Sequence, residues 1–231
     1  MTRPDLSDWQ PRPLPQRAPL QGRYVRLEPL DPAVHGADLW QALQGAGADL
    51  LLWDYLPYGP FTERADFDAW LAANAASADP LFFAVIDLAG QRAVGLLSFL
   101  RLAPKDGCIE IGHIAFGGVM QRSPASTEAV FLLAELAMGT LGYRRLEWKC
   151  DARNARSMRA AERLGFVYEG TFRQHRVVKG RNRDSAWFAI IDADWPGCRA
   201  AFRRWLAPDN FDARGRQIRS LEQLREDGGQ A

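Results

Sequence analysis

The chain has 231 residues, 47% of them hydrophobic and 25% charged, enough for the core of one large domain or two small ones, and no compositional break divides it. With 29 basic residues against 28 acidic ones it lacks the charge excess that drives binding to nucleic acid or an anionic membrane, so only local patches remain. Three widely spaced cysteines, Cys108, Cys150 and Cys198, make neither a disulfide framework nor a metal cluster and read as reduced thiols of a cytoplasmic protein. The longest apolar stretch, Leu81 to Ile86, is far short of the about 20 residues that span a bilayer, and no apolar signal core opens the chain.

Residues 1–20 carry Pro4, Pro11, Pro13, Pro15 and Pro19 and read as a mobile, extended arm. Arg23 to Pro29 alternates as a half-buried strand does. A helix is expected from Pro32, a first-turn proline after Asp31, to about Ala46. The aromatic segment Trp53, Tyr55, Tyr58 and Phe61, broken by Pro57, Gly59 and Pro60, precedes a second helix from about Glu63 to Asn74. Leu81–Asp87, Ala93–Leu102 and Cys108–Phe116 read as a three-strand meander, its first turn at Leu88-Ala89-Gly90-Gln91.

The clearest helix follows, with Val130, Leu133, Ala134, Ala137, Met138 and Leu141 on one face; Ser123 and Pro124 open it and Gly142 ends it. Arg144 to Cys150 is a strand, Asn154 caps a short helix that stops at Gly165, and Thr171–Val178 and Asp184–Ile191 flank the turn Lys179-Gly180-Arg181-Asn182. The expected fold is α/β, with a mixed, mostly antiparallel sheet of about seven strands flanked by helices. One domain over 21–207 is expected between the arm and a charged tail at 208–231, in which Gln217 to Arg225 can form a short helix.

A strand, the loop Gln121-Arg122-Ser123-Pro124-Ala125-Ser126-Thr127 and a helix start place free amides where a pyrophosphate can sit, although every strand-to-helix junction offers such amides. Neither a P-loop nor a Gly-x-Gly-x-x-Gly fingerprint is present. The order of elements, with Glu110-Ile111-Gly112, Gln121-Arg122, Thr127-Glu128-Ala129, Asn154-x-x-Ser157, Leu164-Gly165-Phe166 and Glu169-Gly170, resembles the GNAT acetyltransferases and among them the RimJ/RimL-like group, from about Tyr24 to Trp195.

That resemblance implies acetyl transfer from acetyl-CoA to a primary amine of a small molecule or a peptide N-terminus, without a metal. It implies that Gln121, Arg122, Ser123, Ala125, Ser126 and Thr127 hold the diphosphate, with Asn154, Ser157 and Arg163 also at the cofactor and a backbone amide among Ile114, Ala115 and Phe116 on the thioester carbonyl. Glu110 falls where some members keep a base, the alternative being a cross-strand ion pair. His113, placed on the opposite face by strict alternation, is a fallback base. Ser157 is expected to hydrogen-bond the leaving thiolate, the alternative being a local cap contact. Trp53, Tyr55, Tyr58 and Phe61 fall at the acceptor wall, although such residues also fill cores.

Two departures stand out: Ser123-Pro124-Ala125-Ser126 replaces the family's Gly-x-Gly, and Ala161 stands where many members carry a tyrosine acid. They motivate a rival reading, an acyl-CoA-sensing or partner-binding module without turnover. The basic run Arg173, His175, Arg176, Lys179, Arg181 and Arg183 reads as a solvated hairpin or as a contact for an acidic acceptor, the CoA 3′-phosphate or a second subunit. A homodimer is thus allowed; a nucleic-acid role is disfavoured because the run lacks an interleaved aromatic platform.

Overall fold

A computed structural model describes residues 5–228. Eight strands form one sheet in the order β1-β2-β3-β4-β5-β6-β8-β7. They are β1 (Leu20–Gln21), β2 (Val25–Pro29), β3 (Leu81–Asp87), β4 (Arg92–Ala103), β5 (Cys108–Phe116), β6 (Arg145–Asp151), β7 (Val167–Val178) and β8 (Arg181–Ile191). All neighbours run antiparallel except β5 and β6. The strand beyond the expected seven is the two-residue β1, too short to leave a periodic signal.

One sheet face packs on α3 (Pro124–Ala134), α4 (Ala155–Arg163) and α5 (Trp195–Trp205), with Leu133, Ala161, Phe188 and Phe202 in that core. The other carries α1 (Pro32–Leu43) and α2 (Arg64–Ala76) over Phe82, Ala84 and Leu96. The apolar stripe read from Val130 to Met138 is buried, but the α-helix gives way to a π-helical stretch at Glu135–Thr140 before Gly142 ends it at φ +72°. The last hairpin is longer than expected. Lys179 (φ 49°) and Gly180 (φ 71°) alone make its turn, so Arg181 and Asn182 join β8.

Both ends differ from free tails. In the arm, the Trp9 indole donates to Lys105 O (2.7 Å), the Arg12 amide donates to Pro104 O, and Pro15 is buried. After β8, Trp195, Cys198, Ala201, Phe202 and Trp205 bury one face of α5, a helix the sequence analysis did not anticipate although its apolar spacing is helical. Phe211 packs edge-on against Trp205 and Tyr24, and α6 (Leu221–Gly228) buries Leu221 and Leu224. Residues 208–228 therefore extend the core; apolar residues spaced among many charges hid this.

Glu128, 5% exposed, fastens the N-terminal strands to α3 by accepting from the amides of Arg23 (2.8 Å), Tyr24 (2.6 Å) and Val25 (2.9 Å). The fit is close enough that a Cβ at Gly22 would lie 2.4 Å from Glu128 Oε2. Glu128→Ala leaves these donors without their acceptor and is expected to lower unfolding free energy by about 2–4 kcal/mol, read as a shift in urea midpoint.

Candidate active site

The site is built where two parallel strands part. β5 and β6 pair only at Cys108–Arg145, Ile109–Leu146 and Glu110–Glu147; beyond Glu110 each keeps only its outer partner and a gap opens. Within β5, His113 and Ile114 together oppose Leu97, a bulge in which His113 takes φ 51°. Bulges of this kind re-aim side chains and often sit next to active sites. Gly117 N donates to Val94 O, so by antiparallel alternation the Phe116 amide points into the gap.

The bulge corrects the expected orientation of His113. An extra residue resets the alternation, so His113 shares the face of Glu110, stacked on Tyr58 (5.6 Å between centroids) and against Phe82. Its Nδ1 shares a 2.8 Å hydrogen bond with the Tyr58 hydroxyl. Burial, helped by Arg101, Arg183 and Arg176, pushes the imidazole down to about 4, so it is neutral at physiological pH. Burial raises the Tyr58 hydroxyl.

Glu110, 3% exposed, adopts the cross-strand ion pair: its Oε2 accepts from Arg101 Nη1 and from Lys149 Nζ (2.8 Å). Lys149 also bonds Glu147 (2.6 Å) and lies 3.8 Å from the centroid of the Trp187 ring. Glu110 is thus the hub of a buried charge network.

The aromatic segment divides. Trp53 is fully buried with its indole donating to Leu43 O, and Phe61 packs edge-on against it, so both belong to the α1–α2 core. Tyr58 packs between Trp53, Trp70 and His113, while Tyr55 alone of the four lines a cleft. The Tyr55 hydroxyl reaches Arg153 O (3.3 Å) beside a cleft of about 420 Å³ between the 54–60 loop and the β7–β8 turn.

At the start of α3, Ser123 is the N-cap residue but its hydroxyl turns back to Met120 O, and its amide is bound there too. That removes one donor the sequence had offered. Pro124 has no N–H, and the amides of Ala125 and Ser126 lack intrahelical acceptors and point out of the helix start. Gln121 and Arg122 are exposed, Arg122 at φ 58°. Thr127 is buried and accepts from Arg163 Nη1 (3.0 Å), whose guanidinium covers Trp205 at 4.8 Å, so Arg163 ties α3, α4 and α5 together.

Asn154 caps α4 by accepting from the Ser157 amide (3.1 Å). The Ser157 hydroxyl accepts from the Trp148 indole (3.0 Å) and lies beside Cys150, whose thiol burial pushes up. Trp148 occupies an acceptor site of that hydroxyl, and the hydroxyl proton faces Cys150. Ala161 is fully buried and offers no acid.

Sequence reasoning passed over Arg101, Lys149, Asp151, Trp148 and Trp187. A signal existed: Glu147, Lys149 and Asp151 alternate with Leu146, Trp148 and Cys150, an unusual charge row for a strand inside a sheet.

The depressed His113 imidazole has a consequence for stability. Between about 4 and its ordinary 6.5 the unfolded chain binds a proton that the folded protein does not. This contribution is complete above pH 6.5, is lost as pH falls toward 4, and levels off below. Urea unfolding should show that His113→Gln removes up to about 3 kcal/mol of the stability difference between pH 7 and pH 4.

A family model described as an acetyltransferase (GNAT) domain matches residues 25–167. A GCN5-related N-acetyltransferase structure from Brucella melitensis is 48% identical, covers 96% of this chain and 100% of its own, and superposes with a TM-score of 0.93. A GNAT-family acetyltransferase structure from Chromobacterium violaceum is 42% identical over 85% of this chain and 97% of its own, with a TM-score of 0.78. N-acetyltransferase p20 of Bacillus licheniformis is 27% identical over 115 residues, which span 50% of this chain and 64% of that protein. With the family match covering more than half its length, the chain belongs to the GNAT acetyltransferase family.

Proposed function

We propose that the chain moves an acetyl group from acetyl-CoA to a primary amine, of a small molecule or a protein N-terminus, by direct attack at the opening between β5 and β6. The observation that carries this reading is the gap beyond Glu110, flanked by the α3 helix start on one side and the His113 bulge on the other.

The residues present fit a thioester with a diphosphate tail. The amides of Ala125 and Ser126, with Gln121, Arg122 and Ser123 around them, suit the phosphates; Thr127 and Arg163 hold the helix start in place. The Asn154 side-chain amide can still donate, and an amide among Ile114, Ala115 and Phe116 suits the carbonyl oxygen. Acetyl-CoA supplies the acetyl group as an activated thioester.

His113 receives the proton of the attacking amine. With its Nδ1–H given to the Tyr58 oxygen, Nε2 presents its lone pair. A weak base suffices, because the burial and neighbouring cations that keep the imidazole neutral also disfavour an ammonium over the free amine. Ser157 turns its hydroxyl proton from Cys150 to a hydrogen bond with the departing sulfur, in place of the family's tyrosine. Glu110 acts as a positioning residue that fixes Lys149 and Arg101. Tyr55 and Tyr58 wall the acceptor, with Trp53 and Phe61 behind them.

Thiol release from acetyl-CoA, followed across a panel of amines and N-terminal peptides, should exceed hydrolysis for at least one acceptor. His113→Gln is expected to lower kcat about 100-fold and Ser157→Ala about 10-fold. Thiol release no faster than hydrolysis with every acceptor would leave a CoA-binding module without turnover, the reading that Ala161 and Pro124 favour.

A further inference from the structure

On the acceptor side of the gap, the inner face of the last hairpin holds polar groups with no partner. Arg183, Ser185 and Trp187 share one face of β8, and their Nε, Oγ and Nε1 atoms are all buried without a hydrogen bond. Ser185 is only 1% exposed. His175 of β7, 6.0 Å from the Trp187 ring, adds a fourth such atom at Nδ1. Buried polar groups are nearly always paired, and four orphans on one face next to a cleft mark a place where a ligand supplies acceptors.

The charges there do not balance. Four cations, Arg153, Lys179, Arg181 and Arg183, line the cleft with only two carboxylates, Asp54 and Asp151. Asp151 is held by Arg153 (3.1 Å). Glu110 is held by Arg101 and Lys149, and Asp184 accepts from the Gln174 amide and from Asn182. The charge of Asp54 acts on Lys179, whose ammonium donates to Trp53 O (2.8 Å). Asp151 is the carboxylate whose charge acts on Arg183, and it is already paired with Arg153; among the described residues the half-buried Arg183 makes no ion pair of its own, and its Nε has no partner.

We infer that the acceptor is a small amine that also carries an anion, a carboxylate or a phosphate, which Arg183 receives at the β7–β8 end of the cleft while the amino group meets His113. This rests on the acetyl-transfer reading above and narrows its substrate class. The fork of a guanidinium suits both anions, and a desolvated cation gains most from such a partner.

The test uses matched pairs: the free amino acids against their carboxamides, and phosphoethanolamine against ethanolamine. Each is measured by thermal shift in the presence of coenzyme A and by initial rate with acetyl-CoA. The anionic member of at least one pair is expected to bind and react at least 10-fold better than its neutral partner, and the carboxylate and phosphate arms say which anion the site takes. Arg183→Gln should cut that ratio about 10- to 100-fold, mainly through KM, and Arg181→Gln at the exposed rim should cut it less. Should Arg183→Gln fail to fold, Arg183→Lys serves, since it keeps the charge but not the fork and should lower the ratio in part. Neutral partners or uncharged N-terminal peptides that bind and react as well as the anionic amines would overturn the inference, as would an unchanged ratio in the variants or no binding of any anionic member. If uncharged amines are acetylated well, only the anion inference falls. Absence of coenzyme A binding by calorimetry would instead remove the acetyl-transfer reading beneath it.

Discussion

The structure turns on the parting of β5 and β6 after Glu110. A parallel pair inside a sheet normally continues, since each unpaired amide or carbonyl left behind costs a hydrogen bond. Here the pairing stops after three residue pairs, and the next residues of β5 bulge. The parting leaves the Phe116 amide facing the gap, and the bulge beside it turns His113 onto the face of Glu110. Strain at a non-glycine residue with positive φ is tolerated there because Tyr58, Phe82 and the flanking ladder hold His113 in place.

Buried charge organises the acceptor side. Glu110 joins Arg101 and Lys149, and Lys149 links on to Glu147 and the face of Trp187. Such a network contributes less to stability than to position, because desolvation offsets much of the attraction. Burial, with Arg101, Arg183 and Arg176 nearby, keeps His113 neutral. For the proposed transfer, such surroundings favour a free amine over its ammonium form.

Much of the architecture was legible because it rests on local pattern. The α3 stripe, the Asn154 cap, the Gly142 and Gly165 exits and the bounds of β5 follow from side-chain periodicity and from the few residues that tolerate each backbone conformation. What alternation could not reveal was the bulge, since one extra residue in a strand leaves no mark in composition. The same blindness put His113 on the wrong face; Glu110 stayed open between base and ion pair because its partner Lys149 lies 39 residues away in sequence. The C-terminal core was missed for another reason: Trp195, Phe202, Trp205 and Leu221 sit among arginines and acids whose long side chains lie on the outer surface. Of the aromatic segment, no periodicity separates Trp53 and Phe61, which fill the core, from Tyr58, which joins that core to His113, or from Tyr55, which lines the cleft.

The central claim is that the opened strands and the α3 helix start together form one ligand cradle. Residue-resolved hydrogen exchange with and without acetyl-CoA tests it directly, because the donors concerned are backbone amides. Exchange should slow at Ala125, Ser126 and Phe116 together, with little change at the far β1–β2 edge. Protection confined to other surfaces, with those three amides exchanging as before, would contradict the account.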